Sequence, residues 1–151
     1  MQYFKGKKVL VYGMGDSGYF ASKLLFENEA CVGIFDDDKE HKNLFCFDED
    51  PLSGDYDLVV ISPGIKIIGN TLVESFRQKN IPVISELDLG FNFLKGKLIA
   101  ITGTNGKTTT TKLIGEIFKQ AGHETFVCGN IGLPICAISK KTNKHNSQNR
   151  Y

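Results

Sequence analysis

The chain has 151 residues, 41% of them hydrophobic and 23% charged, with 18 Lys and Arg against 17 Asp and Glu for a formal charge of +1 at pH 7. This is enough apolar material to bury a core in one domain or a little more, so the chain is expected to be globular and soluble. A near-neutral balance advertises neither nucleic acid nor an anionic membrane surface, no run is long enough to cross a bilayer, and the amino end carries no leader pattern. The default is a cytoplasmic monomer.

The first element is a β-branched, apolar strand over Lys8–Tyr12, which runs into Gly13-Met14-Gly15-Asp16-Ser17-Gly18. Ala21, Leu24 and Leu25 then recur at helical spacing, giving strand, glycine turn and helix. Cys31–Phe35 reads as a second buried strand ending at Asp36-Asp37-Asp38. Residues 39–56 read as loop, with a short edge strand at Leu44–Phe47. Leu58–Ile61 is a third strand, ending at Ser62-Pro63-Gly64. Leu72, Val73 and Phe76 mark a helix within residues 70–79, and Ile81–Ile84 is a fourth strand whose Pro82 suits a strand start or a sheet edge. A short helix is expected over Glu86–Leu94.

Lys95-Gly96-Lys97 breaks the pattern, and the apolar run Leu98–Ile101 reads as a strand leading into Gly103-Thr104-Asn105-Gly106-Lys107-Thr108. From Thr108 a helix carries Leu113, Ile114, Ile117 and Phe118 on one face and ends near Gly122. Thr125–Cys128 reads as a strand before Gly129-Asn130-Ile131-Gly132. The last segment, Ser139–Tyr151, has one aromatic residue, no aliphatic and no acid, and is expected to be loosely packed or disordered.

Alternating strands and helices predict an α/β fold: a Rossmann-like parallel-sheet domain over residues 1–94, the beginning of a P-loop ATPase-type α/β domain over 95–138, and a polar tail over 139–151. Ligands of such sheets bind at the carboxyl ends of the strands. The four cysteines, Cys31, Cys46, Cys128 and Cys136, form no C-x-x-C pair and read as buried thiols. His41, His123 and His145 are too scattered for a local metal site.

The most specific signal is G-x-x-G-K-T at Gly103–Thr108, a shortened form of the general phosphate-binding pattern. Its glycines let backbone N–H groups approach phosphate oxygens, the following helix adds its positive end, Lys107 offers a charge, and Thr108 a hydroxyl for Mg²⁺. A nucleoside triphosphate is the expected ligand. Gly13, Gly15 and Gly18 match G-x-G-x-x-G after a strand, with Asp36 at the end of the next strand, so a pyrophosphate on a helix N-terminus is expected there. That motif does not say whether the pyrophosphate belongs to NAD or to a UDP compound. Ser62-Pro63-Gly64 suits a ligand or a plain turn, Asp36–Asp38 a ligand or a solvated turn, and Asn130 a left-handed turn or an amide donor.

In this order, G-M-G-D-S-G, the acidic strand end, S-P-G-I, S-E-L-D-L, T-G-T-N-G-K-T-T-T and G-N-I-G resemble the amino-terminal portion of the Mur ligases, from about Lys8 to Pro134. S-P-G-I with G-M-G-D-S-G points to the branch that adds D-glutamate. The resemblance implies a cytoplasmic, ATP- and Mg²⁺-dependent ligase of peptidoglycan and cell-wall synthesis, hence of cell shape and division. Its substrates would be UDP-N-acetylmuramoyl-L-alanine and D-glutamate, joined through an acyl phosphate. It places Gly15, Ser17 and Gly18 near the diphosphate, Asp36 and Asp37 near uridine, and Ser62, Pro63, Gly64 and Asn130 along the same substrate. It places Gly103, Thr104, Asn105, Gly106, Lys107, Thr108 and Thr109 on the ATP phosphates, with Lys107 and Thr108 catalytic and Thr108 on Mg²⁺.

Full Mur ligases continue past G-N-I-G with an acidic metal ligand, a histidine, a carbamylated lysine and a third domain, so the resemblance implies no turnover by these 151 residues alone. The Lys- and Asn-rich tail suits out-of-frame translation of an A-rich gene, with an engineered truncation as the rival. Other readings of the chain are a dinucleotide-binding oxidoreductase fragment, a folylpolyglutamate-type ligase, and a noncatalytic nucleotide-binding module.

Overall fold

In the computed structural model of the chain, the described residues are 3–37 and 50–139. The expected edge strand at 44–47, Asp38 and all of the tail after Ser139 lie outside them. Four parallel strands form one sheet in the order β2-β1-β3-β4, with β1 over Lys8–Tyr12, β2 over Cys31–Phe35, β3 over Leu58–Ile61 and β4 over Val83–Ser85. The helices are α1 over Asp16–Glu27, α2 over Thr71–Gln78, α3 over Glu86–Phe91 and α4 over Lys107–Gln120.

The two-residue period of a strand splits β1 between two cores. Val9 and Val11 face α1 and α3, packing with Leu24, Leu25, Ile34, Val60 and Leu89. Leu10 and Tyr12 face the other side, packing with Val59, Ile61, Val73 and Phe76. Ala21, Leu24 and Leu25, the apolar positions read from the sequence, are all buried on α1. The fourth strand starts two residues later than expected, at Val83. Pro82 precedes it and contributes only its carbonyl, which accepts from Val59 N at 2.9 Å; a proline has no N–H to give a ladder.

Two expected strands do not form. Residues 98–101 have no regular structure, and Leu98 and Ile99 are half exposed. Residues 125–128 contribute an isolated bridge, Cys128 to Leu133. A parallel strand needs laterally paired neighbours to satisfy its N–H and C=O groups, and the described residues supply none to 98–101 and a single bridge to 125–128. For the same reason, among the described residues, no strand of the sheet lies beneath the apolar face of α4. Leu113 and Ile117 are exposed, and Gly115 is the buried residue of that helix.

The cysteines also depart from expectation. Cys136 is buried, Cys128 is half-buried and Cys31 is exposed, because Cys31 opens an outer strand. Ser139, expected to begin a loose tail, is fully buried at the end of a helical turn over 135–139, where its hydroxyl donates to Cys136 O at 2.8 Å.

Phe76 is the largest fully buried side chain among the described residues, and it carries α2 against the sheet. Phe76→Ala is expected to lower unfolding free energy by about 3–5 kcal/mol in urea titrations of the chain.

Candidate functional site

The chain leaves β1 for β2 on one side and later returns to pair β3 on the other side of β1. The loops after β1 and β3 therefore diverge from adjacent strand ends and open a crevice between them, which is where doubly wound sheets bind ligands. Ser62 ties its two lips together. Its backbone N–H donates to Tyr12 O at 2.9 Å and its buried hydroxyl donates to Gly13 O at 2.6 Å.

Gly18 makes the close approach possible on the helix side. A Cβ there would lie 1.8 Å from Gly13 O, so any side chain would drive α1 off the glycine loop. The helix begins at Asp16 with Gly15 as its N-cap and no side-chain capping hydrogen bond. Its first amides are thus left for something other than a cap, and the helix dipole favours an anion there.

A cleft of about 400 Å³ lies at this position, lined by Asp16, Ser17, Pro63, Gly64, Gly129, Asn130, Gly132 and Pro134. The structure thus brings Ser17, Pro63, Gly64 and Asn130 into one cavity from three distant stretches of chain. Gly15 borders the same loop, and Ser62 lies beneath it. Asn130 sits at the exposed tip of a loop that Gly132 closes: at φ +78 a Cβ would meet Val127 O at 2.4 Å.

The acidic strand end is more occupied than the motif suggests. The Asp36 carboxylate accepts from the Met14 N–H of the glycine loop, so it braces that loop. Asp37 accepts from the Tyr12 hydroxyl at 2.7 Å, and Asn70 donates to the same hydroxyl at 3.2 Å while its own oxygen caps α2 through Val73 N. Burial, reinforced by Asp37, pushes the Tyr12 hydroxyl above its ordinary 10.0. Tyr12 and Asn70 were not singled out from the sequence; Tyr12 looks like one more apolar strand residue until Asp37 is seen beside it.

The second glycine loop stands apart from this cleft. Gly103 to Thr110 are exposed, and α4 starts after Gly106, a left-handed N-cap at φ 77 with no side-chain capping bond. Lys107 turns its ammonium back onto the loop, donating to Gly103 O and, at 3.2 Å, to Thr104 O. Thr108 and Thr109 occupy the first turn of the same helix. An uncapped helix start with a lysine beside it fits a phosphate chain, and the carbonyls that hold Lys107 can be exchanged for anionic oxygens. No group of His, Cys, Asp and Glu side chains able to hold a metal ion occurs among the described residues.

Residues 101–150 match the Mur ligase middle domain. That match continues past Pro134, where the motif resemblance stops, through most of the polar carboxyl-terminal segment. The UDP-N-acetylmuramoylalanine–D-glutamate ligase of Caldicellulosiruptor bescii is 43% identical over 87% of this chain and 32% of its own length. The enzyme of the same name from Lachnoclostridium phytofermentans is 40% identical over 92% of this chain and 34% of its own. That of Macrococcus caseolyticus is 33% identical over 97% of this chain and 36% of its own. A solved UDP-N-acetylmuramate-alanine ligase from Thermotoga maritima superposes with a TM-score of 0.47 at 22% identity, over 77% of this chain and 30% of that one. The chain spans about a third of the length of the curated relatives it matches.

Gly18→Ala is expected to cost about 3 kcal/mol of stability in urea unfolding, since the clash is with backbone that cannot rotate away. A second expectation concerns alkaline pH. Burial raises the Cys128 and Cys136 thiols above their ordinary 9.0 and Tyr12 above 10.0. Groups that keep their protons longer when folded stabilise the fold fully below the unfolded pKa, and that contribution is lost as pH rises toward the folded one. The urea midpoint should therefore hold steady up to about pH 9 and fall progressively above it.

Proposed function

We propose that this chain, a Mur ligase family sequence over the third of the family's length that it spans, holds the UDP-linked substrate of a D-glutamate-adding ligase in the cleft after β1 and presents ATP on the loop before α4. One observation carries the reading: Asn130, from beyond the phosphate loop, lines the same cleft as Ser17 and Gly64. A dinucleotide-binding domain would need no such wall from a following segment.

In this reading the first amides of α1, with Ser17 and Gly18, receive the diphosphate, and Ser62 keeps the loop carbonyl of Gly13 turned away from it. That matters because a carbonyl aimed at the phosphates would repel them. Asp36 and Asp37 stand at the end of β2, the side from which a uridine would be read, and their carboxylates are held in place by Met14 N–H and Tyr12. The Pro63–Gly64 turn and Asn130 lie further along the cleft, toward the sugar and the alanyl carboxylate.

Gly103 to Thr109 would take the ATP phosphates, with Lys107 balancing charge on the transferred group and Thr108 offering its hydroxyl to Mg²⁺. ATP supplies the phosphoryl group. The substrate carboxylate oxygen bonds to the γ-phosphorus as ADP leaves, and the D-glutamate amine then bonds to the acyl carbon as phosphate leaves, its proton passing to solvent or a base. Phosphorylation turns an oxide, a poor leaving group, into a good one. The protein's share in this is positioning and charge. These 151 residues hold the substrate-binding and phosphate-binding parts of that scheme, in a cytoplasmic setting, and no turnover is assigned to them alone.

Thermal denaturation of the chain tests the reading. UDP or UDP-N-acetylmuramoyl-L-alanine at about 100 times its Kd should stabilise the fold by about 2.7 kcal/mol, a Tm rise of several degrees. NADH should leave Tm unchanged; a rise with NADH and none with UDP would replace this proposal by the dinucleotide reading. Phosphate release from ATP with both substrates present should stay at background, and steady release would refute the assignment of the missing steps to residues beyond these.

A further inference from the structure

Among the described residues, Glu86 is a buried carboxylate that the proposed chemistry does not use. It is 3% exposed, at the first position of α3, between a sheet and a segment fifty residues away. Burying a carboxylate is unfavourable unless donors meet it, and a leucine of similar size would serve the core better. What Glu86 holds explains its presence. Its Oε1 accepts from the backbone N–H of Cys136 at 2.8 Å, and its own carbonyl accepts from Cys136 Sγ at 3.5 Å.

The contact around that bond is at backbone distance. A Cβ on Gly90, one turn along α3, would lie 2.4 Å from Ile135 Cγ2 and 3.0 Å from Cys136 N. Ile135 and Cys136 are fully buried, and Ala137 N donates to Pro134 O at 3.0 Å, so residues 134–139 form one tightly bonded turn docked on α3. The same turn begins at Pro134, which lines the cleft together with Gly132, Asn130 and Gly129. The far wall of the cleft is therefore anchored two residues from Glu86's hydrogen bond.

We propose that Glu86 is a positioning residue that sets the width of the diphosphate cleft by fixing the 134–139 turn to α3. Its carboxylate acts as an acceptor for one backbone N–H and touches no ligand. The consequence for binding rests on the reading of the cleft given above; the anchoring itself does not.

Two measurements on the 151-residue chain separate them: alkylation of Cys136 by iodoacetamide, resolved by mass spectrometry with exposed Cys31 as the internal standard, and UDP affinity by calorimetry. Glu86→Ala should raise the Cys136 labelling rate about tenfold, the loss of one buried hydrogen bond, and weaken UDP binding severalfold. Glu86→Gln should restore both to within about twofold, because the amide oxygen can take the same N–H. Gly90→Ala, which wedges Ile135 away with Glu86 intact, should reproduce the alanine phenotype and serves if Glu86→Ala does not fold. Wild-type labelling in Glu86→Ala or Gly90→Ala, or a glutamine variant as open as alanine, overturns the anchor. Should wild-type chain ignore UDP while the labelling pattern holds, the cleft reading fails and the anchor stands.

Discussion

The hydrogen bond from Ser62 to Gly13 O is the constraint on which the described site depends. It exists because β1 and β3 are laterally paired although α1 and β2 separate them in sequence. At the ends of these strands the chain must turn both ways, and the bond fixes the angle between the two turns. With Gly13 O so engaged and Gly18 packed directly over it, the first amides of α1 are presented to the crevice and the loop carbonyl is withdrawn. A glycine loop without that restraint could turn either its donors or its acceptors outward. Asp36 adds a second restraint from below, through Met14 N–H.

The other wall of the crevice obeys a different logic. The Gly129–Pro134 loop has one bridge of sheet pairing and owes its place to the buried turn over 135–139 that packs against α3. Cys136 even joins the main core cluster on the α1 side of the sheet. Chain that the sequence assigns to a second domain is thus packed into the core of the first. A shared core sets that wall of the open cleft in advance, so ligand binding does not have to order it.

The phosphate loop and α4 contrast with this. Their motif is the most specific in the sequence, yet their packing is sparse. Apolar residues that would sit on a sheet, Leu98, Ile99, Leu113 and Ile117, are exposed. The helix forms because its hydrogen bonds close within the segment, even though the Thr108–Thr111 run and Gly115 are poor helix formers, while a strand cannot form without neighbours. Local hydrogen bonding suffices for a helix, and lateral pairing is needed for a strand.

The amino-acid sequence by itself determined the elements of the first sheet, the glycine loops and the resemblance to the Mur ligases. Apolar alternation in β1, the periodic Ala21, Leu24 and Leu25, and the fixed spacing of G-x-G-x-x-G and G-x-x-G-K-T are local patterns, readable over a few residues. Leu98–Ile101 and Thr125–Cys128 carried equally good local patterns and still form no strands, since pairing depends on residues far along the chain. Tertiary structure alone decided that Asn130 lines the same cleft as Ser17, that Tyr12 holds Asp37, and that Glu86 binds Cys136 N at a separation of fifty residues. Nothing in the spacing of these residues announces the contacts, because they arise only when strand order and core packing bring distant segments within hydrogen-bond reach.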